Sequence, residues 1–478
     1  MTATAASERP AAALQNGILR AALGRRPWLL AWLAFLPLVV FRAGVLSEAD
    51  TFWEIRVGLL TIAQRAIPAV DTFTWTVHGK PYFLNSWGFN VLLAVAYRLG
   101  GLPGAAVLCA LVTLAIIALA LMLARSLGAS AAAAGVAFFL AMPLLTGWLS
   151  ARPQLVDYAA VLAFAMLLRG IEQGRGRWGS VALAALLTVV WINLHAAALL
   201  AVALAGASAL LLVLLRRGPC WRYAAASAAV AAAGCLLNPY GIAVLHQASE
   251  VQADSTQLIS EWMPVDWTSP IDDLTIAVGV ASLIIAWRKR EAVLAGMLAV
   301  GLAGSLQAVR FLPFVVILAT PVIAAFAANP PDPIRRYLAS RAVMFRRCGA
   351  LAMLALIALA APSLAHIGRP EQASYPAAVV ADIPHGCRLI TSDLIGGYVI
   401  LARPDVPVSL DSRNNLYGPA LLTAEERVLH GWGNLSRGLA GGGCVLVPPS
   451  YGLVRRLRHD ANWQVRASEL TGILFVRR

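Results

Sequence analysis

The sequence predicts an α-helical polytopic membrane protein of about eleven transmembrane helices, with a small α/β domain at its C-terminus. Three observations carry this. Of 478 residues, 59% are hydrophobic and only 13% charged, with a mean hydropathy of +0.72. Such values lie far from those of a water-soluble globular chain. The apolar residues collect in segments of spanning length, near 28–46, 103–124, 129–148, 154–171, 178–195, 196–215, 222–238, 272–287, 291–309, 311–328 and 348–366. The basic residues collect in short runs between alternate segments, as they do in cytoplasmic loops. A net charge of +14 is by itself compatible with a nucleic-acid footprint. Its distribution excludes that, and no nucleic-acid partner is expected.

Residues 1–27 are polar and carry Arg9, Arg20, Arg25 and Arg26, so they are expected to form a cytoplasmic segment. No cleavable signal peptide is expected, because the first apolar run is long enough to span. Threading the segments alternately puts Arg125, Arg169, Arg217 and the run Arg288-Lys289-Arg290 inside. Before the C-terminal domain the outside holds only Arg56, Arg65, Lys80, Arg98, Arg152 and Arg310. The expectation is therefore a multi-pass protein of the plasma (inner) membrane, with its N-terminus cytoplasmic and its C-terminal domain extracytoplasmic. The threading needs 86–99 to be a juxtamembrane helix. SWGFNVLLAVAYRLG is short for a span, and Trp87 and Tyr97 suit the interface.

The transmembrane domain, 28–366, is interrupted by two long external loops, 47–101 and 239–271. The first carries Glu48, Asp50, Glu54 and Asp71 among Trp53, Trp75, Tyr82 and Trp87. Carboxylates where a chain leaves the bilayer are costly unless they act. The second has Glu250, Asp254, Glu261 and Asp266 and no Lys or Arg, opens with the turn signal Asn238-Pro239-Tyr240-Gly241, and later carries Glu261-Trp262. Acidic and aromatic side chains above a membrane suit a sugar, by holding hydroxyls and stacking on ring faces. Each Trp taken singly could equally belong to an interfacial belt.

Residues 367–478 alternate short apolar runs (CRLIT, VPVSL, CVLVP) with helical patterns at 394–402, 419–430 and 451–458, and end in a hairpin-like WQVRA and ILFVRR. That alternation predicts an α/β domain. Cys387 and Cys444, each opening a strand, could pair outside the cytoplasm or be two small buried residues. Asp411-Ser412-Arg413 reads as a turn.

Asp50, Asp157, His195 and Arg310 fall at or near the external ends of helices, and Arg152 stands just outside Asp157. Charges at membrane depth should face a wet cavity. A lipid phosphate would need cations there, and Arg152 and Arg310 are the candidates. A hydroxyl acceptor would need a carboxylate base, for which Asp50 is best placed. His195 could orient that base or help bind a metal. Asp71, Glu261 and Trp262 complete the candidate substrate-binding set.

With these residues in view, the chain resembles the polytopic glycosyltransferases of the GT-C fold, which include protein O-mannosyltransferases and lipid A aminoarabinose transferases. It is similar to a group of bacterial membrane proteins of that architecture. The pieces that carry the resemblance are DTFWEIRVG, IPAVDTFTWT, RPQ at 152–154, WINLH at 191–195, NPYG at 238–241, EWMP at 261–264 and DSRNNLYG at 411–418. The resemblance implies that Asp50 is the catalytic base, supported by Glu48, and that Asp157 is the second acidic position. Glu48-Ala49-Asp50 replaces the common Asp-Glu pair, so which carboxylate acts stays open. Some relatives add a divalent cation (Mg or Mn), for which Asp50 and Glu48 would be the ligands. The expected activity is transfer of a sugar from a polyprenyl-phosphate donor to an extracytoplasmic glycan, lipid or protein. The alternatives are a lipid or glycan transporter or flippase, which would favour paired broken helices, and a non-catalytic envelope scaffold.

Overall fold

The computed structural model describes residues 26–43, 45–175, 177–247, 259–330 and 332–478. Most of the expected N-terminal segment, and Glu250 and Asp254 of the second long loop, lie outside the described residues.

Each expected span falls on a helix. Among the described residues, seven helices are long and apolar enough to cross a membrane: α1 (Arg26–Ala43), α3 (Trp87–Ser126), α5 (Gln154–Glu172), α7 (Leu200–Leu214, entered through the 3-10 turn Ala196–Leu199), α9 (Pro270–Arg288), α11 (Leu312–Ala327, entered through the turn Val309–Phe311) and α13 (Ala342–Leu364). Between them run α4 (Ala131–Leu145), α6 (Trp178–Leu194), α8 (Trp221–Gly234) and α10 (Ala292–Ser305), of 14 to 17 residues. At 1.5 Å per residue the shortest of these extend about 21 Å, less than the roughly 30 Å of a hydrocarbon core, so turns at their ends complete the depth. The amphipathic α12 (Asp332–Ser340) lies between α11 and α13.

The segment expected to lie along the membrane is joined to the next span as one 40-residue helix, α3. A straight helix of that length would reach about 60 Å, twice a bilayer core. The chain breaks it at Gly100 and Gly101, where Gly101 has φ +62° and ψ −153°. Only glycine takes that backbone without strain. The helix is thereby divided into two parts, 87–99 and 102–126.

The polar groups at helix ends gather in two places. Arg169 of α5 binds Glu291 through Nε at 2.9 Å and Nη2 at 3.0 Å, and reaches Ser126 at the end of α3. Glu172 pairs with Arg217 at 3.5 Å and accepts the first amide of α10. This is the basic end of the bundle. At the opposite end lie α2 (Ala49–Gln64), the two long loops and the C-terminal domain.

That domain is built on a sheet of order β3-β4-β6-β5, with β3 (Leu389–Thr391) parallel to β4 (Cys444–Val447) and a hairpin of β5 (Trp463–Glu469) and β6 (Gly472–Arg477). The expected helical patterns fall on α15 (Asp393–Ala402), α17 (Pro419–Leu429) and α19 (Gly452–Arg458), with the short helices α14 (Ala377–Ala381), α16 (Asn414–Tyr417) and α18 (Leu435–Gly438) between. VPVSL differs from expectation. It forms only isolated bridges, from Val408 to Thr74 and to Leu389, because Pro407 has no amide to continue a ladder. A disulfide joins Cys387 to Cys444. A two-residue pairing of β1 (Val45–Leu46) with β2 (Arg369–Pro370) ties the exit of α1 to the exit of α13.

The domain does not carry its core alone. Trp53 and Val57 of α2 and Leu84 share one buried cluster with Val379, Ile395, Val399 and Val408. At the crossing of α15 and α2, a β-carbon on Gly397 would stand 2.5 Å from the carbonyl oxygen of Ala49. Glycine there lets the domain sit directly on the start of α2, and so on Asp50.

Candidate active site

Two adjoining groups of side chains occupy the end of the bundle under this domain. The outer one centres on Arg152. Thr51 of α2 donates to the carbonyl of Ala151 at 2.7 Å, drawing the Arg152-Pro153-Gln154 turn against α2. Arg152 then pairs with Asp50 at 3.2 Å, with Glu261 at 2.6 Å and, more distantly, with Glu48 at 3.9 Å. Burial disfavours its charge, but Asp50, Glu261 and Glu48 outweigh this and raise its pKa. Asp50 Oδ1 accepts from Ser412 Oγ at 2.6 Å and Trp53 Nε1 at 3.1 Å, which leaves Oδ2 to Arg152. Burial pushes Glu48 above the ordinary carboxylate range, with Asp50 adding to the effect and Arg152 opposing it. Glu54, one turn along α2 from Asp50, is 3% exposed and its Oε2 has no partner among the described residues. Burial, reinforced by Asp50, holds it well above the usual range.

The inner group lines a cavity of about 330 Å³ whose walls include Phe83, Trp148, Tyr158, Phe311 and Phe314. Each polar member is delivered by a local feature. The Asn238 side chain caps its own turn, accepting from the Tyr240 amide at 2.8 Å, and Tyr240 stacks on Phe83 with centroids 3.9 Å apart. The amide of Val309 donates to Met263 at 2.8 Å, holding the second loop against the entry to α11. That contact lays Trp262 against Arg310, whose guanidinium carbon is 4.1 Å from the ring centroid. Arg310 has no carboxylate partner among the described residues, so its charge is available to a ligand. Asp157, in the first turn of α5, accepts from Trp191 Nε1 and His195 Nδ1, both at 2.7 Å. Trp191 lies in the last turn of α6, and His195 follows its end with an extended backbone.

The expected residues therefore divide. Asp157, His195, Arg310, Arg152, Glu261 and Trp262 line the cavity, and Asp50 and Glu48 meet it through Arg152. Two placements depart from expectation. Arg152 was expected to serve phosphate, but acidic side chains already surround its guanidinium. Asp71, expected to bind substrate, is 1% exposed and lies at the domain junction. Its oxygens are used by Thr74 (amide 3.1 Å, Oγ1 2.6 Å) and by Arg413 at 2.7 Å. Arg413 is clamped by Asp411 as well and lies against the rings of Trp53, Phe73 and Tyr82.

Ser412 is the contributor that the sequence did not reveal as such. DSRNNLYG reads as a turn, and nothing local shows that this turn packs on Asp50, 362 positions earlier. A divalent cation fits this arrangement poorly. Glu48 and Asp50 converge on a guanidinium, and among the described residues no three His, Cys, Asp or Glu side chains are grouped to hold a metal.

No family model matches the sequence, and no curated protein is significantly similar to it. Solved structures share its fold. ArnT from Cupriavidus metallidurans in the apo state superposes with a TM-score of 0.58 at 15% identity, over 95% of this chain and 98% of that one. The same protein bound to undecaprenyl phosphate gives 0.58 at 16%, over 94% and 97%. The oligosaccharyltransferase AglB from Archaeoglobus fulgidus, in complex with an inhibitory peptide and a dolichol-phosphate, gives 0.56 at 13%, over 89% of this chain and 69% of that one. Both are GT-C-fold membrane glycosyltransferases. At such identities the likeness is one of fold. The chain is a multi-pass membrane protein with the GT-C fold.

Proposed function

We propose that this GT-C-fold chain transfers a sugar from a polyprenyl-phosphate donor to an acceptor hydroxyl, on the extracytoplasmic side of the membrane. The observation that carries the reading is the pairing of opposite chemistries in one place. A cavity with largely apolar walls and a guanidinium, Arg310, that has no carboxylate partner among the described residues adjoins a mouth rich in carboxylates. Solved relatives in fold were captured with undecaprenyl phosphate and dolichol-phosphate, and this cavity suits the same class of ligand. A polyprenyl chain keeps its donor in the bilayer through about 0.8 kcal/mol per buried methylene, so no nucleotide-binding domain is needed.

In this reading Arg310 holds the donor phosphate, with Trp262 fixing its plane. Asp50 is the base: Ser412 and Trp53 hold Oδ1, and Oδ2 takes the acceptor proton once Arg152 turns toward the incoming ligands. The acceptor oxygen attacks the anomeric carbon, the bond to phosphate breaks, and the electron pair leaves with the phosphate. Glu48 supports Asp50, and Glu261 and Trp262 face the sugar.

The test is turnover of labelled polyprenyl-phosphate sugars by the full chain in lipid, one sugar at a time. Release of polyprenyl phosphate that requires an acceptor supports the reading. Binding without turnover for every sugar, together with movement of the lipid between leaflets, would replace it with a flippase. Sidedness is read separately. A cysteine at position 415 should react with an impermeant thiol reagent in intact cells, and one at position 340 should not. The reverse pattern would place the cavity in the cytoplasm. The Cys387–Cys444 disulfide suits the oxidising side.

A further inference from the structure

Asp157 and His195 would be an expensive way to brace two helices. Asp157 is 1% exposed, and both its oxygens are fixed by 2.7 Å bonds, to Trp191 Nε1 and His195 Nδ1. With Asp157 acting as a carboxylate, which only accepts, Nδ1 carries the proton and Nε2 is the ring nitrogen left for a ligand. The backbone of His195 is extended (φ −159°, ψ 136°) where α6 gives way to the turn Ala196–Leu199, which sets the ring at the helix end. His195 lines the cavity that Arg310 also lines. Among the described residues, the other charged or titratable groups that line that cavity are Tyr158 beside Asp157, Arg152 ahead of α5, Glu261 from the second loop and Arg310 itself. The turn 196–199 and α7 bring none.

We propose that His195 meets the second negative charge that forms on the departing phosphate. The proposal rests on the reading that the donor is a polyprenyl-phosphate sugar. In such a donor the phosphate is a diester with one negative charge, which the fixed cation Arg310 matches. As the bond from the anomeric carbon to the phosphate oxygen breaks, its electron pair stays on that oxygen and a monoester with a second charge results. The acceptor oxygen takes over the bond to the anomeric carbon, and its proton goes to Asp50. The imidazolium of His195, with Nδ1–H on Asp157, turns Nε2–H to the departing oxygen and can pass the proton to it. Asp157 and Trp191 are positioning residues that fix the ring and its tautomer. A positive group whose partner appears only as the bond breaks stabilises the transition state more than the bound donor.

Undecaprenyl phosphate is the probe, because it presents the product charge without requiring the sugar or the acceptor to be known. Its binding to the full chain in nanodiscs is measured between about pH 6.5 and 8.5, where an alkyl phosphate is already largely a dianion. The parent protein should weaken about tenfold over this range as a histidine discharges. His195→Gln should bind about tenfold more weakly at the acid end and show no slope. Asp157→Asn keeps the histidine but should displace or flatten the slope. Arg310→Ala should weaken binding at every pH and keep the slope. If the parent and Arg310→Ala behave as stated while His195→Gln keeps the parent affinity and slope, His195 is a structural residue and this inference is overturned. Should His195→Gln fail to fold, a parent-like slope in Asp157→Asn overturns it equally. If the parent binds no undecaprenyl phosphate, the donor reading falls first and takes the inference with it.

Discussion

The mouth around Arg152 and the cavity around Arg310 each centre on an arginine, yet the two are wired oppositely. Arg152 has three carboxylates, Asp50, Glu261 and Glu48, within 4 Å. Arg310 has a tryptophan face and no carboxylate partner among the described residues. A guanidinium surrounded by carboxylates holds them in register and has little affinity left for phosphate, whereas one stacked on an indole keeps its donors for an anion. The same residue type is thus committed to carboxylates in one place and left without one, among the described residues, in the other. The difference lies in neighbours contributed by loops far apart in the chain.

The comparison breaks most readily at Asp50. Asp50→Asn preserves size and the contacts to Ser412 and Trp53 but removes the proton acceptor. Turnover of a labelled polyprenyl-phosphate sugar should drop about a hundredfold or more, with thermal stability retained. Near-normal turnover would show that the mouth only supports the cavity. Arg310→Lys should have a smaller effect. It keeps the charge and loses the planar fork and the stacking on Trp262, so donor KM should rise about tenfold with kcat little changed. An equal loss in the matching Arg152→Lys variant would mean that the two arginines are not specialised.

The smallest effect is expected at Glu54. Burial favours its neutral form, so Glu54→Gln should leave turnover within about twofold. Its folded pKa lies above its unfolded value. The stability it contributes is therefore complete below the ordinary carboxylate range and is lost as pH rises through the raised folded value. Thermal midpoints should accordingly decline less toward alkaline pH in Glu54→Gln than in the parent. An identical pH profile in the two proteins would show that Glu54 is charged in the fold, and the mouth would then hold a fourth anion.

Sequence alone determined what depends on short-range chemistry. Apolar run length gave the helices, because a bilayer imposes a fixed depth and backbone groups within it must be satisfied inside each helix. Asp50, Asp157, His195 and Arg310 stood out for the same reason, as charges where charges are costly. Residue spacing could not show which of them would meet. Asp50 finds Ser412 across 362 positions, Arg413 finds Asp71 across 342, and Arg152 finds Glu261 across 109. Only the tertiary structure decided that Asp71 locks the C-terminal domain to the first loop, that Arg152 belongs to the carboxylates, and that Arg310 is left to the cavity. The physical reason is that a charge is assigned by its partners. Those partners are set by how the helices and the C-terminal domain pack, and no local stretch of sequence records that packing.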